Sequence, residues 1–156
     1  SIAGFTPFKD YEDAARSLKV ALQTLEVRVP NPDLSRAFQI AVKEGVNAVI
    51  TTSIPGLSGY RKQIVDLALQ NQLPLMSESI TFVEAGGLAS YDASRDEIFR
   101  AAAFFVDKIL KGANPGDLPV ETPTKFELAI NLKTAKQIGV IIPPNVLARA
   151  DRVIRS

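Results

Sequence analysis

Histidine and cysteine are both absent from the 156 residues. Without them a Ser-His-Asp triad, a cysteine nucleophile, an imidazole or thiolate zinc site and a disulfide framework are all excluded within this chain. Charge of one sign is missing too: eighteen basic residues face seventeen acidic ones, leaving +1. That balance provides no electrostatic footprint for nucleic acid or an anionic membrane. The apolar runs are short and broken, and none approaches the roughly 20 residues that span a bilayer. The absence of cysteine does not locate the protein, since it suits both reducing and oxidising compartments. The chain begins Ser1-Ile2-Ala3-Gly4, with neither an initiating Met nor a visible signal peptide, and an upstream region is expected to have been removed.

What is present suits one domain-sized unit, with 46% hydrophobic and 22% charged residues and hence ample material for a core. Lys9 to Lys19 is predicted helical, with Tyr11, Ala14, Ala15 and Leu18 on one face and acids in the first turn. Val20 to Val29 shifts to near alternation, with Glu26 and Arg28 outward, which predicts a strand. Asn31-Pro32 then offers an N-cap and first helical residue for a helix buried through Leu34, Ala37, Phe38, Ala41 and Val42 and stopped at Gly45. Val46 to Thr52 reads as a strand buried on both faces. An amphipathic helix over residues 58–70 and a short strand at Leu73-Pro74-Leu75-Met76 follow. Alternating strands and helices imply right-handed crossovers and an α/β fold, a parallel sheet flanked by helices. Ligands of such sheets sit at the carboxyl ends of the strands, which directs attention to Thr51, Thr52 and Ser53 and to Ser77, Glu78 and Ser79.

The second half is less regular. Leu88 to Tyr91 is a strand candidate, and Asp96 to Leu110 a helix stopped by Gly112. Ile98, Phe99, Ala102, Phe105, Val106, Ile109 and Leu110, widened by Ala101, Ala103 and Phe104, give that helix a broader apolar face than a surface helix needs. Phe126 to Ile130 is predicted as a strand, Asn131 as the cap of a helix ending near Gly139, and Pro143-Pro144 as the start of a last helix through Ala150.

Motifs that would carry chemistry are sparse. Gly86-Gly87 lacks the GxGxxG or GxxxxGK[ST] spacing of a phosphate cradle and reads as a turn. Glu78, Glu84 and Asp92 are isolated carboxylates, open to acid-base work but more ordinary as surface groups or helix caps. The Ser/Thr-rich strand ends suit hydrogen bonding to a small polar molecule, or are simple loop polarity. Tyr60 and Tyr91 are placed either to stack on a ligand or to pack at the rim. No metal site or cofactor motif is found.

One ordered series goes further: Phe82-Val83-Glu84-Ala85-Gly86-Gly87-Leu88-Ala89-Ser90-Tyr91, Val106-Asp107-Lys108-Ile109-Leu110-Lys111-Gly112, Leu118-Pro119-Val120-Glu121, Pro123-Thr124-Lys125-Phe126-Glu127-Leu128, Ile130 to Lys136, Ile142-Pro143-Pro144, and Leu147 to Asp151. It closely resembles the ABC-transporter substrate-binding proteins that include the tryptophan/tyrosine-type receptors, of periplasmic-binding-protein type I fold. Ala14 to Leu18 and Leu25 to Arg28 match the same family upstream. Its members are about twice as long, with two lobes and the ligand between them, so the resemblance implies a C-terminal half. Residues 1–89 would form the second lobe and 90–112 a hinge strand and an apolar helix packed on the missing first lobe. Residues 113–156 would return as a segment with C-terminal helices.

Carried over by position, the resemblance implies ligand contacts from Thr52 and Ser53, from Ser77, Glu78 and Ser79, and from Tyr91 and Asp92. The sequence departs from the family at Asp92, where Gly usually follows the Ser-Tyr pair, and at Thr52-Ser53-Ile54-Pro55, where an acidic residue and Pro are frequent. The implied function is non-enzymatic, without catalytic residues, metal or cofactor. It is binding of a small polar solute, such as an amino acid, for an ABC permease, in the periplasm or another extracytoplasmic space. The competing reading is a truncated fragment that no longer binds and self-associates, as a homodimer, through its apolar helix. A small carboxylate-only enzyme, with Glu78 and Asp92 as its candidates, is the third.

Overall fold

The computed structural model describes residues 8–52 and 56–155. Five strands form one sheet in the order β1-β2-β3-β4-β5: β1 (Val49–Thr51), β2 (Leu75–Ser77), β3 (Ala89–Ala93), β4 (Phe126–Asn131) and β5 (Arg152–Ile154). Pairing is parallel between β1 and β2, β2 and β3, and β4 and β5, and antiparallel between β3 and β4. The mostly parallel α/β architecture expected from the alternation is therefore present, with one reversal. The reversal arises because the chain leaves the sheet at the end of β3 and re-enters at that same end, Phe126 of β4 pairing with Ala93 of β3.

Helix α1 (Phe8–Leu18) precedes α2 (Leu34–Lys43) and α3 (Arg61–Gln70), which a short 3-10 turn at Ser58–Tyr60 introduces. Leu34 and Phe38 of α2, Ile64, Val65 and Ala68 of α3, Leu75 of β2 and Phe82 of α4 (Ile80–Glu84) share one buried cluster. Burial of such side chains stabilises by roughly 1.5–3 kcal/mol each, so this helix-on-sheet layer holds the domain together. A second cluster joins Leu88 to Ala135 and Ile138 around α6 (Leu132–Gln137). As expected, Asn131 caps α6, its side chain accepting from Thr134 N–H.

Helix α5 (Arg95–Leu110) has no buried residue; Phe99 is 69% and Leu110 82% exposed. Its wide apolar face is thus uncovered in the isolated chain. Lys111 ends the helix and Gly112, at φ 96°, reverses the chain, a left-handed position suited to glycine.

Several expectations are corrected. Val20 to Val29 forms no strand, although Leu25 and Val27 are half-buried and Glu26 and Arg28 exposed. Val27 packs on the core edge and the Gln23 side chain donates to Glu44. Alternation orients side chains, but a strand exists only when a neighbouring backbone takes its N–H and C=O groups. The cap of α2 is Asp33, which accepts from Arg36 N–H at 3.0 Å, while Asn31 sits at φ 65° and donates its own N–H to the Tyr60 hydroxyl. Because β1 is an edge strand with one face uncovered, Ile50 is 50% exposed rather than buried. The last helix, α7 (Pro144–Leu147), stops early, and its chain turns into β5, which periodicity did not indicate.

Candidate functional site

The parallel register builds the site. Thr51 lies beside Ser77 and Ser77 beside Ser90, so adjacent strands present three hydroxyl residues in one row on one sheet face. All three are buried. Ser77 Oγ accepts the Ser79 N–H at 3.2 Å, whereas Thr51 Oγ1 and Ser90 Oγ have no hydrogen-bond partner. A buried hydroxyl left unpaired costs about 1–3 kcal/mol, and groups of this kind concentrate where something else completes them.

Around that row the expected residues divide. Thr52 follows β1 directly and is half-buried; Ser53 lies outside the described residues. Glu78 and Ser79 follow β2, with Ser79 Oγ 2.9 Å from Thr81 Oγ1 in α4. Glu78 is met from outside the sheet: Tyr11 of α1 donates its hydroxyl to Glu78 Oε1 at 2.6 Å. Burial, followed by the hydrogen bond to Glu78 and its charge, pushes the Tyr11 phenol up to about 12. Thr51, Thr52, Ser77, Glu78 and Ser79 are thus gathered at the carboxyl ends of β1 and β2. Asp92 lies two residues beyond Ser90 on the same face of β3 and accepts the Ala93 N–H at 2.8 Å. Tyr91 points to the other face, where its exposed ring stacks on Phe126 with centroids 5.4 Å apart. It stands apart from the hydroxyl row.

The remaining candidates resolve simply. Glu84 pairs with Arg152 at 3.0 Å on the surface, and Tyr60 packs against the core. Gly86-Gly87 is a turn: Gly86 has φ 115°, and a Cβ on Gly87 would come within 2.9 Å of the Phe82 carbonyl oxygen. Thr134 Oγ1 donates to Gly86 O and Asn131 Nδ2 to Val83 O, which pins this turn beneath α6. The larger surface depression, about 500 Å³, runs along α3 past Tyr60 and the Lys62–Asp66 ion pair, and none of the strand-end residues lines it. Among the described residues no cluster of three or more acidic, His or Cys side chains is placed to hold a metal, and no helix is long and apolar enough to cross a membrane.

Sequence reasoning missed Tyr11, which was placed only on one face of its helix, and Glu127. Glu127 is the cross-strand partner of Asp92 and accepts the Ser94 hydroxyl at 2.7 Å. The only available signal was its alternation within β4, which says nothing about the residue opposite.

The family described as ABC transporter substrate binding protein matches over residues 8–154. The chain belongs to that family. Solved structures share the fold. The ABC domain in complex with L-Trp from Streptococcus pneumonia superposes with a TM-score of 0.82 at 25% identity, over 94% of this chain and 50% of that one. A conserved domain protein from Vibrio cholerae O1 biovar El Tor shares the fold with a TM-score of 0.81 at 24% identity, over 94% of this chain and 49% of that one. So does the ligand-free, open substrate-binding protein with adhesive properties from Clostridium difficile, at 0.69 and 17%, over 96% and 49%. A search of curated proteins returned no match. This substrate-binding-protein chain therefore spans about half the length of the solved structures it matches, and its sheet is of the periplasmic-binding-protein kind.

Proposed function

We propose that the chain is one lobe of an extracytoplasmic solute receptor serving an ABC permease, and that it acts by binding rather than catalysis. The observation that carries the reading is the buried row Thr51, Ser77 and Ser90, two of whose hydroxyls lack a partner. A small polar solute of amino-acid size, seated at these strand ends, would exchange hydrogen bonds with Thr52, Ser53, Ser77, Glu78 and Ser79, the Glu78 carboxylate accepting, with Asp92 at the rim. Family membership and the L-Trp complex of a structural neighbour support a solute of this class.

In this reading residues 1–89 form the solute-binding lobe and 90–112 a hinge strand and a helix that faces a further lobe. Residues 113–156 return the chain to the sheet. Closing two lobes over a ligand is a hinge motion of a known kind, and one lobe alone would bind weakly. Native mass spectrometry of the chain with a pool of amino acids tests it. A noncovalent adduct that disappears on denaturation, and that Ser77→Ala and Glu78→Gln weaken together, is expected. Absence of any adduct at millimolar solute would defeat the reading.

The uncovered apolar face of α5 favours a second reading, in which the isolated chain self-associates through that helix. Size-exclusion chromatography distinguishes the two, since Phe99→Glu with Leu110→Glu would convert such a dimer to monomer and leave a monomeric lobe unchanged.

A further inference from the structure

A second cavity, of about 180 Å³, lies against β3 and β4, with Ile80 of α4 and the first turn of α5 at its sides. Strand alternation sets its wall. Ser90 and Asp92 share one face of β3, and Ala129 and Glu127 are their cross-strand partners. Asp92 and Glu127 therefore stand directly opposite one another, a like-charge pairing that an antiparallel ladder disfavours. Ser90, 1% exposed, lines the same cavity with its hydroxyl unpartnered.

The cations around this wall are committed elsewhere or loosely held. Arg152 lines the cavity but pairs with Glu84 at 3.0 Å. Lys125 approaches Glu127 at 3.5 Å with a side chain 61% exposed, a geometry in which water screens most of the attraction. Arg95, at the mouth with Asp96, is exposed. The Ser94 hydroxyl, at the N-cap position of α5, donates to Glu127 and makes no capping bond. The cavity thus carries two opposed carboxylates and a buried hydroxyl, all able to accept hydrogen bonds.

We infer that this cavity is a binding site for a primary ammonium group, held between the Asp92 and Glu127 carboxylates with Ser90 Oγ as third acceptor. Three N–H donors meet three acceptors, and the positive charge relieves the repulsion across the ladder. That the ammonium is carried by a transported solute rests on the receptor reading above. The volume suits the ammonium and a short aliphatic stem.

The test is a titration of the whole chain with ethylammonium chloride, followed by backbone amide chemical shifts. Sodium chloride and tetramethylammonium chloride serve as controls of equal ionic strength. Saturable shifts at the amides of residues 90–97 and 126–128 are expected with ethylammonium alone. Asp92→Asn and Glu127→Gln should each weaken binding tenfold or more, and Lys62→Gln on α3 should leave it unchanged. Two variants on separate strands keep the test decisive if one disturbs the ladder. Shifts reproduced by either control salt, or unaltered by both variants, would overturn the site. Amino acids that bind at Thr52 and Ser77 to Ser79 while ethylammonium leaves residues 90–97 unmoved would overturn it too, with the receptor reading intact. Ethylammonium binding without any amino-acid binding would uphold the site and remove the receptor reading instead.

Discussion

The Tyr11 hydroxyl donates to Glu78 Oε1 at 2.6 Å across 67 residues of sequence. The bond ties α1 to the carboxyl end of β2, at the candidate solute site. Tyr11→Phe removes it while keeping the ring. Hydrogen exchange should then accelerate through residues 9–18, with global stability reduced by about 1 kcal/mol, the usual net worth of one hydrogen bond. Unchanged exchange in α1 would mean that the ring alone anchors the helix.

The same bond has a pH signature. The Tyr11 phenol is raised from 10.0 to about 12, so the folded state holds its proton more tightly than the unfolded chain. Its stabilising contribution is complete below pH 10 and is lost as pH rises towards 12. Ultraviolet titration should show a phenolate step near 12 that Tyr11→Phe abolishes.

Removing unpaired buried hydroxyls should stabilise the ligand-free chain. Ser90→Ala and Thr51→Val each delete an unsatisfied donor from a buried position, and relief of up to about 1–2 kcal/mol is expected. Thermal unfolding measures it. If Ser90 serves a ligand, the stabilised variant should also bind more weakly, the stability–function opposition common at binding sites.

Gly87→Ala should be costly. The added methyl would meet the Phe82 carbonyl oxygen at 2.9 Å, and the clash is with backbone. A loss of about 1–3 kcal/mol is expected, the range for overpacking a rigid site. Gly59→Ala, with nothing within 4 Å of the added Cβ, provides the control and should shift the melting temperature little.

Glu97 joins the first turn of α5 to the approach of β4, accepting the Lys125 N–H at 2.8 Å and the Thr124 hydroxyl at 3.2 Å. Those hydrogen bonds, the Lys125 N–H foremost, hold its carboxyl below the usual value of 4.5. Because the folded value is depressed, the contribution is present above about 4.5 and is lost as pH falls through the folded value. Amide exchange at Lys125 should therefore accelerate in Glu97→Ala, with little change in global unfolding. An unaffected Lys125 would show that the Ser94 N–H to Lys125 O bond holds this junction alone.

Local chemistry made much of this molecule legible. Asn131 was readable as a cap because its side chain bonds a backbone N–H three residues ahead, and Gly112 as a stop because its neighbours are helical on one side only. The apolar breadth of α5 was equally visible, since each residue's character is written in the chain. By contrast, residues 20–29 carry strand alternation without a partner backbone, and Ile50 reads as core although half of it stays exposed. The expected ligand residues show the same divide. Ser77, Glu78 and Ser79 follow from the rule that strand ends bear ligands, but Tyr91 turns to the face opposite Ser90 and Asp92.

Composition alone ruled out histidine and thiol chemistry, and the order of motifs pointed to a substrate-binding lobe, because both depend only on which residues occur and in what sequence. Tertiary structure decided that Thr51, Ser77 and Ser90 form one row, that Tyr11 reaches Glu78, and that Asp92 confronts Glu127. Those relations depend on strand order and register, and register arises from burial of whole faces and from which backbone lies alongside, neither of which a local stretch of sequence encodes.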